Sequence, residues 1–127
     1  TKCYNKRYNI SFFSFLIIKY RGKYYILEIK TETSRKYWDH IEVREEHKAQ
    51  GIAYYLSFHI DKVIYLYENR DNLDKKAYLF TVTQEMVDEM LLKMSTISSY
   101  VEINQVPEKQ ESIKCKYCTY KKTCDSV

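Results

Sequence analysis

Nine residues, Gly22 to Lys30, GKYYILEIK, constrain this chain more than any other stretch. They form a short apolar run that closes with Glu28 and Lys30 two positions apart. In a strand, residues two apart point to the same side of the sheet. A carboxylate and an ammonium side by side at the end of an apolar strand are costly to bury idle, because each needs a partner or a metal. The pair is a candidate site, and the rest of the fold must bring partners to it.

The residues in front of it, Ile10 to Tyr20, are β-branched and aromatic, and Arg21-Gly22 supplies a turn, so a hairpin is predicted with Lys23 to Thr31 as the antiparallel partner. The first strand is apolar on both faces in its middle, which predicts a place inside the sheet. Residues 32 to 41, ETSRKYWDHI, read as a mobile loop beside the site, where Arg35, Lys36 and Trp38 could meet a phosphate backbone and a base, or could lie on a solvated loop with one ring packed down. Glu42 to Phe58 is the strongest helix, with acids near its start, and it carries His47, Gln50 and Tyr54 on one face. Gly51 in that helix suits close packing on a sheet. His47 could reach phosphate or metal, but a lone histidine on a helix face is more often a packing residue, so it is kept out of the catalytic set.

Asp61 to Glu68 and Ala77 to Val82 read as a second hairpin around NRDNLDK. A helix from Thr83 to about Ser98 follows, with Met86, Val87, Met90, Leu91 and Met94 as its packing stripe. Residues 99 to 114 form a polar connector to a Cys-rich tail. The order is strand, strand, helix, strand, strand, helix, which predicts an α/β fold around a small mixed sheet flanked by helices.

At 127 residues, 45% hydrophobic and 16% aromatic, the chain suffices for one compact domain spanning 1–127, with 99–127 as connector and tail within it. Two Gly and one Pro leave little material for flexible linkers. A net charge of +4 leans towards anionic partners without deciding among them. FFSFLII is too short to span a bilayer, and TKCYNKRYN lacks the pattern of a signal peptide, so no membrane association is expected. Three of the four cysteines, Cys115, Cys118 and Cys124, crowd the last thirteen residues. Without secretory features, that spacing predicts a metal or cluster site kept reduced in the cytoplasm. Three thiols need a fourth ligand to close a tetrahedral Zn²⁺ site or hold a 4Fe-4S cluster, and Cys3 is the candidate. If Cys3 stays free, His40 or His59 would complete a zinc site instead.

A strand ending in Glu28-Ile29-Lys30, followed by a helix carrying Gln50-x-x-x-Tyr54, resembles the PD-(D/E)XK nucleases. In particular it is similar to the RecB-like exonuclease branch that includes the AddB nucleases and the CRISPR-associated iron–sulphur exonucleases. The tail KCKYCTYKKTC resembles that branch's cluster-binding segment, so the likeness runs from about residue 8 to 124. The resemblance implies a restriction-endonuclease-like fold and a metal-dependent DNA nuclease, of exonuclease type, acting in recombination, repair or the processing of phage and mobile-element DNA. It implies DNA as partner, together with a helicase or another subunit of a nuclease complex. It assigns Glu28 and the carbonyl of Ile29 to a Mg²⁺ or Mn²⁺ ion, Lys30 to the attacking water and the phosphate charge, and Gln50 and Tyr54 to positioning the DNA backbone or the lysine. It assigns Cys3, Cys115, Cys118 and Cys124 to the cluster, with zinc as the alternative.

The family also places an Asp in the preceding strand, in a Gly-x-x-Asp context, and the corresponding positions here are Phe12 and Phe15, with Ser14 alongside. A metal site without that carboxylate loses a hard anionic ligand. Either Asp39 or Glu42 swings in, or the chain is a catalytically degenerate nuclease fold that binds DNA or a partner protein. The family's first helix and strand also have no counterpart before Ile10, so the sequence reads as a fragment or as completed by another chain. A zinc-ribbon-like interaction protein is a third reading, but it leaves the Glu-Ile-Lys strand and the Gln-x-x-x-Tyr helix unexplained.

Overall fold

The computed structural model describes residues 2–12 and 15–126. The chain divides into two compact units, Thr1–Leu92 and Lys93–Val127.

In the first unit, β1 (Cys3–Asn5) and β2 (Ile10–Phe12) form a two-stranded ribbon, and β3 (Leu16–Tyr20), β4 (Lys23–Glu32), β5 (Lys62–Asn69) and β6 (Lys75–Thr81) form a four-stranded sheet in the order β3-β4-β5-β6. The outer pairs are antiparallel and the central pair, β4 with β5, is parallel. The parallel pair needs a crossover, supplied by α1 (Ser34–Trp38) and α2 (Glu45–Phe58). The result is an α/β fold with a mixed sheet flanked by helices. Arg21 and Gly22, both at positive φ (48° and 77°), turn β3 into β4 as a tight hairpin requires.

The strands explain the core by their period of two. On β5, Val63, Tyr65, Tyr67 and Asn69 are buried while the intervening residues are half-exposed. Register carries that face across the sheet, pairing Ile26 with Val63, Glu28 with Tyr65, Lys30 with Tyr67 and Glu32 with Asn69. Helix α2 covers this face with Ile52, Tyr54 and Leu56 buried. Its approach depends on Gly51, where a Cβ would lie 2.9 Å from the Tyr65 hydroxyl and 3.0 Å from the Phe80 ring. Asn5 of the ribbon donates to Ser57 Oγ (3.0 Å) and to the Leu56 carbonyl (3.4 Å), tying β1 to the end of α2.

Four expectations are corrected. Ile10 to Tyr20 is not one strand: β2 pairs with β1, while β3 belongs to the larger sheet. Nor does β3 lie inside that sheet, for it is an edge strand with Leu16, Ile17 and Tyr20 about half exposed. An apolar run cannot by itself distinguish a centre from an edge, because the neighbouring strand decides that. Residues 34–38, expected in a loop, form a helical turn whose Tyr37 is buried. So short a helix is sustained by packing rather than by propensity. The main helix begins at Glu45, three residues later than expected, with Arg44 as its N-cap and Val43 already buried in front of it.

Helix α3 (Gln84–Glu102) starts in the first unit and ends in the second. Met86, Val87, Met90, Leu91 and Met94 form its least exposed stripe, as their spacing predicts. In the second unit, a 3₁₀ turn (Ile113–Tyr117) and α4 (Lys121–Asp125) follow an irregular stretch. Ser112 and Cys115 cap that turn reciprocally, and Asp125 binds Lys109 and Lys121. Among the described residues no helix is long and apolar enough to cross a membrane.

Candidate active site

The alternation of β4 places Ile26, Glu28, Lys30 and Glu32 on the face that α2 covers. The i, i+4 spacing of Gln50 and Tyr54 on α2 sets both side chains over Glu28 and Lys30. The four expected residues meet in one closed hydrogen-bonded set. Lys30 Nζ lies 2.9 Å from Glu28 Oε1 and donates to Gln50 Oε1 at 2.6 Å. Gln50 Nε2 donates to Glu28 Oε1 at 3.1 Å and to the Tyr54 hydroxyl at 2.6 Å. The Tyr54 hydroxyl in turn donates to Glu28 Oε2 at 2.7 Å. Ile29 lies between the charged pair, in register with Leu66, and its side chain is on the opposite face.

The side chains of Lys30 and Glu28 are only 22% and 12% exposed, so each charge depends on its partners. Glu28 Oε2 has one hydrogen-bond donor and Oε1 has two, which leaves acceptor capacity for a further donor or a cation. Burial, reinforced by Glu28, pushes the Tyr54 hydroxyl well above its ordinary pKa, so it stays protonated and keeps donating. Tyr65, in register with Glu28, is raised for the same reasons.

A second polar cluster continues along the same face. Glu32, buried, accepts from Arg44 Nε and pairs with His40 Nε2, each at 2.8 Å. Burial works to raise its pKa, but the bonds from His40 and Arg44 outweigh burial and hold it below the usual value. Arg44 also donates to the Lys36 carbonyl (2.7 Å), and Lys76 donates to the carbonyls of Tyr37 and His40. His47 Nδ1 lies 2.8 Å from the hydroxyl of the buried Tyr67, the residue in register with Lys30. Burial and the Lys30 charge lower the His47 pKa. Sequence reasoning missed Glu32, Arg44 and Tyr67, and named His40 only as a zinc ligand, whereas it pairs with Glu32. One signal was present, since Glu32 stands two residues beyond Lys30 and so on the same face.

The resemblance sets Phe15 where the nucleases carry an Asp. Phe15 packs on Tyr54 and Phe58, with ring centroids 4.7 and 4.8 Å apart. Ser14 lies outside the described residues. Of the two acids considered as replacements, Asp39 faces Arg44 at 3.7 Å, and Glu42 offers its carbonyl to His40 Nδ1. Trp38 is exposed and edge-on to Tyr37, whereas Arg35 and Lys36 occupy the last turn of α1.

Cys3 lies in β1 of the first unit. In the second, Cys115, Cys118 and Cys124 line a single cavity of about 330 Å³ with Ser112, Lys121 and Asp125. All four thiols are free. Three thiols on one cavity wall are the donor chemistry that Zn²⁺ and iron–sulphur clusters take. Among the described residues, no three His, Cys, Asp or Glu side chains are already placed around one point. His40 is engaged by Glu32, and His59 closes α2 in the left-handed conformation.

No family model matches the chain, and no curated protein does. The fold puts it among α/β proteins with a mixed sheet, and a solved structure titled "Crystal structure of SSO0001" is similar to it. That likeness has a TM-score of 0.52 at 22% sequence identity, over 87% of this chain and 48% of the other. The chain thus spans about half the length of the solved protein it matches, and the likeness concerns the fold.

Proposed function

We propose that the chain is a nuclease domain of the PD-(D/E)XK type that hydrolyses phosphodiester bonds in DNA. One observation carries this reading: Glu28, Lys30, Gln50 and Tyr54, which the two sequence motifs bring together in name, also meet as a closed set around one carboxylate. Glu28, with the carbonyl of Ile29, would hold Mg²⁺ or Mn²⁺, which when bound supplies a Lewis acid and an activated water. Lys30 presents an ammonium to a phosphate oxygen and offsets the charge that grows there in the transition state. Gln50 orients Lys30 through its carbonyl oxygen and Glu28 through its amide nitrogen, and Tyr54 holds the second carboxylate oxygen. The test is incubation of the purified protein with single- and double-stranded DNA and Mg²⁺ or Mn²⁺. Cleavage is expected in the parent and not in Glu28→Ala, and equal cleavage by the two refutes the assignment.

Phe15 favours a second reading, a degenerate nuclease fold that holds DNA or a partner protein. That reading predicts salt-sensitive DNA binding without saturable Mn²⁺ binding. Under either reading, Cys115, Cys118 and Cys124, with a fourth ligand, would hold a 4Fe-4S cluster, or zinc. Iron, sulfide and zinc analysis of protein purified without oxygen separates these outcomes. The setting that suits such thiols is the cytoplasm, with a helicase or another nuclease subunit as the protein partner.

A further inference from the structure

His47 is one turn before Gln50 on the face of α2 that meets the sheet, beside the charged set but outside it. Its ring stacks on Tyr65 (centroids 6.2 Å apart, planes 19° apart), and its backbone carbonyl accepts from the Tyr65 hydroxyl at 2.6 Å. Both contacts fix the imidazole across from Glu28 and Lys30, which are in register with Tyr65 and Tyr67.

The tautomer follows from counting donors. Tyr67 is fully buried, so its O–H proton needs an acceptor. The hydroxyl oxygen already accepts from the Arg44 N–H at 3.4 Å, and the acceptor within reach is His47 Nδ1 at 2.8 Å. Nδ1 therefore accepts, and the neutral ring carries its proton on Nε2. Burial and the nearby Lys30 keep the ring neutral. The Nε2–H lies on the ring edge turned away from Tyr67, on a side chain that is not fully buried, and it has no partner among the described residues.

We propose that His47 Nε2–H is a phosphate-binding donor that grips a non-bridging oxygen of the nucleic-acid backbone next to the one Lys30 faces. This rests on the nuclease-fold reading above. A neutral donor there adds a directional contact without a second cation beside Lys30, which a protonated ring would be.

Two variants separate this role from mere support of Tyr67. In His47→Gln the amide nitrogen reaches the place of Nε2, whereas in His47→Asn it reaches only the place of Nδ1. Binding of a fluorescein-labelled single-stranded oligodeoxynucleotide in EDTA, followed by anisotropy, is expected to weaken about tenfold or more in His47→Asn and to stay within about threefold in His47→Gln. The dependence of log Kd on log salt should not change, because no charge is removed. Parent-like binding by His47→Asn, or loss confined to His47→Gln, overturns the inference while leaving the nuclease reading standing. Absence of binding by the parent overturns both. Imidazole ¹⁵N NMR of the parent gives an answer that needs no variant. Nδ1 should be unprotonated and Nε2 protonated, with Nε2–H moving on oligonucleotide addition. A proton on Nδ1, or an unmoved Nε2–H, overturns the inference.

Discussion

Replacing Gly51 by alanine tests whether α2 is seated on the sheet as described, because two effects of opposite sign meet at one atom. On an exposed helix position the change would stabilise by about 1 kcal/mol through helix propensity. Here the new Cβ falls 2.9 Å from the Tyr65 hydroxyl and 3.0 Å from two atoms of the Phe80 ring, inside the roughly 3.5–4.0 Å of comfortable carbon contact. Tyr65 is fully buried and held by its 2.6 Å bond to the His47 carbonyl, so it cannot swing aside freely. Overpacking of this kind costs about 1–3 kcal/mol, and release of the Tyr65 bond adds about 1 kcal/mol. The net expectation is a loss of about 1–3 kcal/mol. With a urea m-value of about 2 kcal/mol per molar, the unfolding midpoint by far-UV circular dichroism should fall by about 0.5–1.5 M at unchanged m. A midpoint equal to or above the parent's would mean that propensity prevails, and would refute the close approach of α2 to Tyr65 and Phe80.

Three further outcomes follow from the site. Tyr54→Phe keeps the ring on Phe15 but deprives Glu28 Oε2 of its donor, so thermal unfolding should show a loss of about 1–3 kcal/mol; an unchanged melting temperature would sink the closed set. Phe15→Asp should lower stability by about 2–4 kcal/mol in EDTA, since a packed ring is exchanged for a carboxylate near Glu28, yet its melting temperature should rise more with Mn²⁺ than the parent's does; an equal rise would show that position 15 adds no ligand. His47 has a folded pKa below its ordinary 6.5, with burial, Lys30 and Arg44 lowering it against Glu46 and Glu32. The unfolded chain therefore takes up a proton that the fold resists, and stability should decline as pH falls from about 6.5 through the folded value. Urea titrations at several pH values should show that decline in the parent and not in His47→Gln, and an identical decline in both would remove His47 as its source.

Much of this was legible because it is local. The Gln50-x-x-x-Tyr54 spacing is a statement about one helix face, and Glu28 and Lys30 share a side of a strand by its period. Gly51 marked a close approach, and the Met86 to Met94 stripe marked a packing face. What was misread depended on partners. Apolar β3 is at an edge because nothing in Leu16–Tyr20 encodes whether a further strand will pair with it. Residues 34–38 became helical because Tyr37 found a buried seat and Arg44 and Lys76 found the carbonyls of Lys36 and Tyr37.

The sequence by itself determined the longer elements, β4, β5, β6, α2 and α3, and the two halves of the candidate site, since periodicity and spacing are properties of consecutive residues. Only the tertiary structure decided that Gln50 and Tyr54 close upon Glu28 and Lys30, that the Phe15 ring lies against Tyr54, and that Glu32, His40 and Arg44 continue the polar face. Those facts depend on the parallel register of β4 with β5 and on the depth to which Gly51 lets α2 descend, and both are set by contacts between residues far apart in the chain.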